Sequence, residues 1–238
     1  MLTIIVLAAG DDISLADRVK RTAEFFYGHA SVFSVSLEYQ RIDETGSTLP
    51  QETKKLREGK YTLQNLINGD LIPTFGCARA YRSCLFKAFG PLGTSCKIED
   101  ATLRLRALIL GDIYHSNAAG VLYRTHDKAL SNTIKKQTQL GVYRQYMQDL
   151  KQALSMSVLQ ESQAHQAQNV LKNQIKRGLI LSKYQSAHYH LGSLFRLILM
   201  ERHLSFRDKS NIIYGKLIAE RHKNLYRKLR AKFIKSGN

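Results

Sequence analysis

The chain has 238 residues, of which 44% are hydrophobic and 23% charged, so it can bury a core and is not a disordered polymer. Its 15 glycines and three prolines exclude collagen-like and low-complexity classes, and no apolar run reaches the roughly 18 residues of a membrane-spanning helix. The length predicts one domain, alone or with a sizeable appendage.

The formal net charge of +17 is unevenly distributed along the chain. Residues 1–132 carry 16 basic and 14 acidic side chains, whereas residues 133–238 carry 20 and 5, so their net charges are +2 and +15. The asymmetry predicts two regions that meet after residue 132. A balanced first region suits a small-molecule site, and a basic second region suits a polyanionic surface such as nucleic acid or acidic lipid.

The first region alternates strand and helix patterns, which predicts an α/β layer fold. The β-branched run at 2–8 is typical of a strand buried on both faces in a mostly parallel sheet. The next helix is expected to begin at Ser14 and to carry Leu15, Val19 and Phe26 on its apolar side. The predicted elements are strand 2–8, helix 14–28, strand 30–37, turn 42–48, helix 82–89, helix 98–110 and short strands at 113–115 and 120–123.

The second region has no proline, and its leucines, glutamines and basic residues recur at helical spacing. Leu191, Leu194 and Leu197 fall on one helical face, and a basic amphipathic pattern continues over 217–229. The sequence therefore predicts an α-helical C-terminal region over 133–238.

Two adjacent carboxylates, Asp11 and Asp12, follow the first predicted strand. Ligands of open α/β sheets bind at the carboxyl ends of strands, and paired carboxylates there can hold a divalent cation such as Mg²⁺ or Mn²⁺. The alternative is that both residues only turn the chain and cap the next helix.

A second acidic pair, Glu99 and Asp100, opens the predicted helix 98–110. One of these carboxylates could act as a general base toward a hydroxyl nucleophile, or both could simply cap the helix. In the stretch 123–126, His126 could complete a metal site and Arg124 could neutralise phosphate, although a lone loop histidine is usually a surface residue.

Four segments of residues 1–132 together resemble, in order, the motifs of family 2 glycosyltransferases of the GT-A fold. Residues 7–15 (LAAGDDISL), followed by Arg18, are similar to the family's metal-binding segment. Residues 76–82 (GCARAYR) are similar to its acceptor-side segment, and Glu99-Asp100 with Leu105-Arg106-Ala107 to the segment of its catalytic aspartate. Residues 123–126 (YRTH) with Leu130-Ser131 are similar to its closing segment.

The resemblance implies a metal-dependent, inverting sugar transfer from a nucleotide-sugar donor to a hydroxyl acceptor. Asp100 would be the catalytic base. Asp11 and Asp12 would hold the divalent metal, Mg²⁺ or Mn²⁺, that stabilises the departing diphosphate, with His126 as a possible further ligand. The residues expected at the acceptor or substrate are Gly76, Cys77, Glu99 and Arg124.

The chain departs from the family pattern in three respects. Ala9 and Ala129 stand where many relatives have an acidic residue and an asparagine. The metal segment begins at residue 7, whereas in the family it follows several strand–helix units that bind the nucleotide. The expectation is therefore a partial GT-A (Rossmann-like) mixed sheet that lacks the N-terminal nucleotide-binding half, with activity impaired by the truncation.

The resemblance also implies partners and a location. The acceptor would be a saccharide or a lipid-linked sugar, as in cell-surface polysaccharide or glycolipid synthesis. The three cysteines, odd in number and without metal-ligand spacing, favour a reduced cytoplasmic protein. The basic helices suit peripheral attachment to the anionic inner face of the plasma membrane, with nucleic acid as the less favoured partner. The alternative function is a non-catalytic remnant of such an enzyme that binds membrane or nucleic acid.

Overall fold

A computed structural model describes residues 3–50, 56–73, 75–126 and 136–186, together with the isolated residues 204, 206, 209, 210 and 212. The chain divides into two compact units, Met1–Lys172 and Asn173–Asn238. The predicted boundary, after residue 132, lies within the stretch 127–135, which is outside the described residues. The sheet and the candidate site belong to the first unit.

The described part of the chain contains strands, helices and one 3₁₀ turn. The strands are β1 (Ile4–Val6), β2 (Ile13–Ser14), β3 (Val32–Ile42), β4 (Gly59–Tyr61), β5 (Arg79–Arg82) and β6 (Asp112–Arg124). The helices are α1 (Arg18–Gly28), α2 (Leu63–Ile67), α3 (Cys84–Phe89), α4 (Glu99–Leu110), α5 (Lys136–Ser155) and α6 (Glu161–Ser186), and the 3₁₀ turn is Gly76–Ala78.

The strands form one mixed sheet in the order β1-β5-β3-β6-β2, and β4 pairs with the first part of β6. The expected α/β class and the expected mixed sheet are confirmed, whereas the mostly parallel pairing that the first strand pattern indicated is wrong. Among the described strands, only β3 and β6 pair in parallel, and the other four pairings are antiparallel. Because β5 is antiparallel to both β1 and β3, the strands β1, β3 and β6 all run in the same direction.

The first strand is half-buried, which corrects the prediction that it is buried on both faces. β1 stands at the end of the sheet order, and among the described strands only β5 lies beside it. An edge position leaves side chains less covered than a central one, which explains the difference. The apolar run in the sequence indicated a strand correctly but could not indicate its place in the sheet.

The two short strands predicted at 113–115 and 120–123 are parts of the single strand β6. β6 is held along its length by β3, with register shifts near Glu38 where the ladder is irregular. Gly120 lies against Leu37 so closely that a Cβ at this glycine would stand 2.5 Å from Leu37 Cδ1. The glycine that looked like a strand boundary is instead a point of close packing within one strand.

Two helix boundaries follow the sequence closely and one does not. α3 ends at Phe89, as predicted, and is followed by Gly90, whose φ of 68° is the left-handed conformation that favours glycine. α4 spans Glu99–Leu110 against a prediction of 98–110. α1, however, begins at Arg18 rather than at Ser14, because Ser14 pairs with Val121 in the sheet as part of β2.

Helices cover both faces of the sheet. On one face, Phe26 of α1 packs in a core with Val35, Leu37 and Val121. A second, larger core contains residues of α3, α4 and α5 together with Tyr81 and Ile113 of the sheet. Residues 136–186 are helical as predicted, apart from the short connection between α5 and α6, whereas the leucine face at 191–197 and the basic pattern at 217–229 lie outside the described residues. Among the described helices, none is long and apolar enough to cross a membrane.

Candidate functional site

The candidate site lies at the carboxyl ends of the three strands that run in the same direction. Asp11 and Asp12 are in the loop after β1, Asp43 follows β3, and Arg124 closes β6. Carboxyl ends of co-directional strands meet at one edge of a sheet, where ligands of α/β proteins bind. The fold therefore brings the first and fourth motif segments to the same edge.

Direct hydrogen bonds join these two segments. The Arg124 amide donates to Asp12 Oδ1 at 2.9 Å, and Arg124 Nε donates to the Asp11 carbonyl, also at 2.9 Å. Asp11 Oδ2 lies 2.8 Å from His126 Nε2. Two pairs of predicted site residues, more than 110 positions apart in sequence, thus form one cluster. We call it the acidic loop cluster, and its members are Asp11, Asp12, Arg124 and His126.

The two carboxylates of the acidic loop cluster have opposite environments. The hydrogen bond from His126 lowers the pKa of Asp11 below its ordinary value. Partial burial, helped by the neighbouring Asp11 charge, raises the pKa of Asp12. Asp12 Oδ2 is buried, and no hydrogen-bond partner for it exists in the described part of the chain. A cation beside this oxygen would compensate the cost of burying it.

The acidic loop cluster suits a metal only if other ligands come from elsewhere. Across the described ranges, no group of three or more His, Cys, Asp or Glu side chains forms a cage for an ion. Mg²⁺ is commonly held by one or two carboxylates, with water and substrate phosphate completing its coordination. The unpaired Asp12 Oδ2 fits that role, and Asp11 would be the second carboxylate, with its Oδ2 held by His126.

Arg124 also fixes the turn that follows β3. Its Nη1 donates to the carbonyls of Asp43 and Glu44, at 3.1 and 2.7 Å. Asp43 Oδ1 in turn accepts from the Thr45 amide at 2.9 Å, which closes the predicted turn. The guanidinium that was expected to contact phosphate is therefore engaged with backbone in this structure.

Arg18 is a site residue whose role the sequence did not reveal. It is 1% exposed, and its Nη2 donates to the carbonyls of Leu7 and Cys77 at 2.6 and 2.8 Å. Leu7 leads into the acidic loop cluster and Cys77 belongs to the 3₁₀ turn, so one guanidinium joins the first motif segment to the second. The helical spacing of Arg18, Thr22 and Phe26, all buried, is the signal that could have indicated it.

The second and third motif segments also meet. A Cβ at Gly76 would stand 3.1 Å from Asp100 Cβ and 3.4 Å from its Oδ2, so the glycine lets the Asp100 side chain pack closely against the 3₁₀ turn. Asp100 is half-buried in the first turn of α4, and its Oδ1 accepts from the Ala101 amide at 2.7 Å. Glu99, one residue earlier, is exposed, and its expected contact with substrate stays a prediction.

Cys77 contributes its backbone rather than its thiol. Burial raises the pKa of the Cys77 thiol to about 12, so the sulfur stays protonated near neutral pH. Its carbonyl accepts from Arg18, as described above. The residue is therefore suited to line a site and not to act as a nucleophile. All three cysteines are free thiols.

Comparison with known proteins adds no family to these observations. No protein-family model matches the chain, and no curated protein matches it either.

Proposed function

We propose that this chain is a glycosyltransferase-type protein that transfers a sugar from a nucleotide-sugar donor to a hydroxyl acceptor with inversion. The observation that carries the proposal is the pairing of the four motif segments. The first and fourth motif segments together form the acidic loop cluster. The second and third motif segments meet where Gly76 packs against Asp100. Arg18 then links the two pairs through the carbonyls of Leu7 and Cys77.

In the proposed reaction, Asp100 removes the proton from the acceptor hydroxyl as that oxygen attacks the sugar. Gly76 lets the Asp100 side chain lie close to the 3₁₀ turn, since a Cβ at this glycine would stand 3.1 Å from Asp100 Cβ, and the acceptor would bind beside this carboxylate. The attack displaces the nucleotide diphosphate in a single step, so base and diphosphate must lie on opposite sides of the sugar.

Asp12 and Asp11 would hold a divalent metal, Mg²⁺ or Mn²⁺, which when bound offsets the negative charge of the diphosphate. The buried, unpaired Asp12 Oδ2 supports this assignment. His126 orients Asp11 through their 2.8 Å contact, and Arg124 holds the loop through the Asp12 carboxylate and the Asp11 carbonyl. The two side chains thereby fix the positions of the carboxylate oxygens.

Metal-dependent binding of a nucleoside diphosphate tests the proposal most directly. We expect the chain to bind Mn²⁺, and to bind a nucleoside diphosphate more tightly when Mn²⁺ is present, as measured by isothermal titration calorimetry. Asp12→Asn should weaken Mn²⁺ binding at least about tenfold, because even changes outside the ligand shell cost about 10- to 100-fold.

Asp17→Asn is the matched control, because it removes the same charge as Asp12→Asn. Asp17 is an exposed aspartate that pairs with Arg21, outside the acidic loop cluster. Equal Mn²⁺ affinity of Asp12→Asn, Asp17→Asn and the unaltered chain would refute the metal assignment. Absence of any metal or nucleotide binding would favour the alternative of a non-catalytic remnant.

The uneven charge supports a second proposal, that the basic region attaches the protein to an anionic membrane surface. Residues 133–238 carry a net +15, and α6 presents Lys172, exposed, and Lys176, half-buried. Each Lys or Arg near an anionic bilayer contributes about 1 kcal/mol, and the attraction is screened by salt. Sedimentation with vesicles rich in phosphatidylglycerol should therefore be strong at low salt and lost at high salt.

A charge-matched pair of variants makes the membrane test specific. Lys172→Gln with Lys176→Gln should reduce vesicle binding, whereas Lys20→Gln with Lys97→Gln, two exposed lysines of the first region, should leave it unchanged. Strong, salt-sensitive binding of duplex DNA without vesicle binding would instead identify nucleic acid as the partner of the basic region.

A further inference from the structure

Three aromatic rings connect the two parts of the candidate site. The Tyr39 ring packs edge-on against the Phe75 ring, with the ring centres 4.8 Å apart, and against the Tyr123 ring at 5.4 Å. All three side chains are half-buried, so each keeps some surface accessible from solvent. We call Tyr39, Phe75 and Tyr123 the aromatic bridge.

The chain places the two ends of the aromatic bridge beside the two groups that the proposed reaction requires. Phe75 directly precedes the glycine that packs against the candidate base Asp100. Tyr123 directly precedes Arg124 of the acidic loop cluster. In an inverting transfer the sugar lies between the base and the departing diphosphate. A sugar in that position would therefore lie along the aromatic bridge.

The chemistry of the three rings indicates what kind of ligand they would hold. The face of an aromatic ring is electron-rich, whereas the C–H groups of a sugar ring carry a slight positive charge. A pyranose presents several C–H groups on one face and its hydroxyls around the rim. An aromatic surface contacts such a face closely and leaves the hydroxyls free to reach polar groups beside it.

The charges at the two ends of the aromatic bridge favour a neutral sugar. Asp100 lies near one end, and the carboxylates of the acidic loop cluster lie near the other. The Arg124 guanidinium already donates to three backbone carbonyls, those of Asp11, Asp43 and Glu44. A sugar that carries a carboxylate would thus meet like charges, which cost free energy at close range.

We propose that the aromatic bridge is a saccharide-binding surface, on which a neutral pyranose lies with one C–H face against the rings. The proposal rests on the proposed sugar transfer for the place of the sugar, between Asp100 and the diphosphate. The contact between saccharide and rings follows from the ring arrangement and requires no metal.

Binding of a simple glycoside tests the aromatic bridge separately from the metal site. We expect the 238-residue chain, without metal, to transfer saturation to methyl β-glucoside in saturation-transfer difference NMR, most strongly to the C–H protons of one sugar face. Methyl β-glucuronide, which carries a carboxylate, should bind more weakly. Absence of transfer to methyl β-glucoside, or equal or tighter binding of the glucuronide, overturns the proposal.

Ring substitutions show whether the glycoside binds at the aromatic bridge. Phe75→Leu with Tyr123→Leu should weaken glycoside binding about tenfold, because one aromatic contact contributes about two- to tenfold in affinity. Tyr123→Phe keeps the ring and should bind the glycoside as the unaltered chain does. Tyr27→Leu with Phe206→Leu is the matched control, since it removes two exposed rings outside the aromatic bridge.

A single substitution keeps the test decisive if the double leucine variant does not fold, as far-UV circular dichroism would show. Tyr123→Leu alone should then weaken glycoside binding at least about twofold. If the leucine variants that fold bind the glycoside as tightly as the unaltered chain, the rings serve packing alone and the proposal fails.

Nucleotide binding separates failure of the saccharide surface from failure of the proposed sugar transfer. In the presence of Mn²⁺, the leucine variants should bind a nucleotide sugar more weakly, and the corresponding nucleoside diphosphate, which lacks the sugar, as tightly as before. An equal loss for both ligands would place the rings against the nucleotide and overturn the saccharide assignment. If the unaltered chain binds the glycoside but no nucleoside diphosphate, the saccharide surface is supported and the sugar transfer is not.

Discussion

Asp100→Asn is expected to reduce sugar transfer by about 100- to 10,000-fold, which is the usual contribution of general acid–base catalysis. The amide cannot accept the proton of the acceptor hydroxyl, whereas it keeps nearly the same shape beside Gly76. The effect should appear in kcat, and the binding of Mn²⁺ and of the nucleoside diphosphate should be unchanged because Asp100 lies outside the acidic loop cluster. Transfer is measured with a radiolabelled nucleotide sugar.

The fold should tolerate the Asp100→Asn change. Asp100 Oδ1 accepts from the Ala101 amide at 2.7 Å, and the asparagine oxygen can take over this contact. Loss of a negative charge in the first turn of a helix costs about 0.3–1 kcal/mol. Glu161→Gln is the matched control, since Glu161 is an exposed carboxylate in the first turn of α6. The sugar-transfer activity of the Glu161→Gln variant should equal that of the unaltered chain. Activity that survives in Asp100→Asn would show that another group is the base.

Local chemistry explains which parts of the fold the sequence could predict. Gly90 ends α3 in a left-handed conformation, and the acidic pair at 99–100 marks the start of α4 within one residue. These signals depend on a few neighbouring residues, so they can be recognised without knowing the rest of the chain. The turn after Ile42 is predictable for the same reason, because Asp43 binds the backbone two residues later.

Long-range packing explains what the sequence could not predict. The face of α1 is an example, since Val19, expected on the apolar side, is 61% exposed, whereas Arg18 and Thr22 are 1% exposed. A guanidinium can be buried there because the carbonyls of Leu7 and Cys77 accept from it, and Cys77 is 59 residues away. The pairing of β5 between β1 and β3 is likewise set by contacts distant in sequence.

The candidate site shows the same division. The sequence indicated Asp11, Asp12 and Arg124 as candidate site residues, and the structure places Arg124 within hydrogen-bonding distance of both aspartates. It gave no reason to expect that Arg18 joins the two halves of the site, or that Arg79 is buried next to the helix that carries Asp100. Arg18 and Arg79 bind backbone carbonyls of other segments. Because every residue has a carbonyl, such a contact requires no particular residue type in the segment that accepts it, and the sequence therefore gives no signal there.

Asp149→Ala is expected to lower the free energy of unfolding by about 3–5 kcal/mol, the usual cost of leaving a buried charge without its partner. Asp149 and Arg106 join α5 to α4 through two hydrogen bonds of 2.9 and 3.0 Å, and their side chains are 1% and 0% exposed. Arg106 also donates to the Gly90 carbonyl at 2.8 Å and lies over the Phe89 ring, so its guanidinium cannot turn toward solvent.

A double variant separates the burial of an unpaired charge from the loss of attraction between the helices. Arg106→Met with Asp149→Leu replaces both charges with apolar side chains of similar size, and such replacements are often neutral or stabilising. We therefore expect the double variant to be more stable than Asp149→Ala in urea unfolding, although it lacks one more native residue. If the double variant is the less stable of the two, the ion pair contributes a net attraction that its burial does not cancel. If Asp149→Ala unfolds at the same urea concentration as the unaltered chain, the buried pair between α4 and α5 does not hold the helices together.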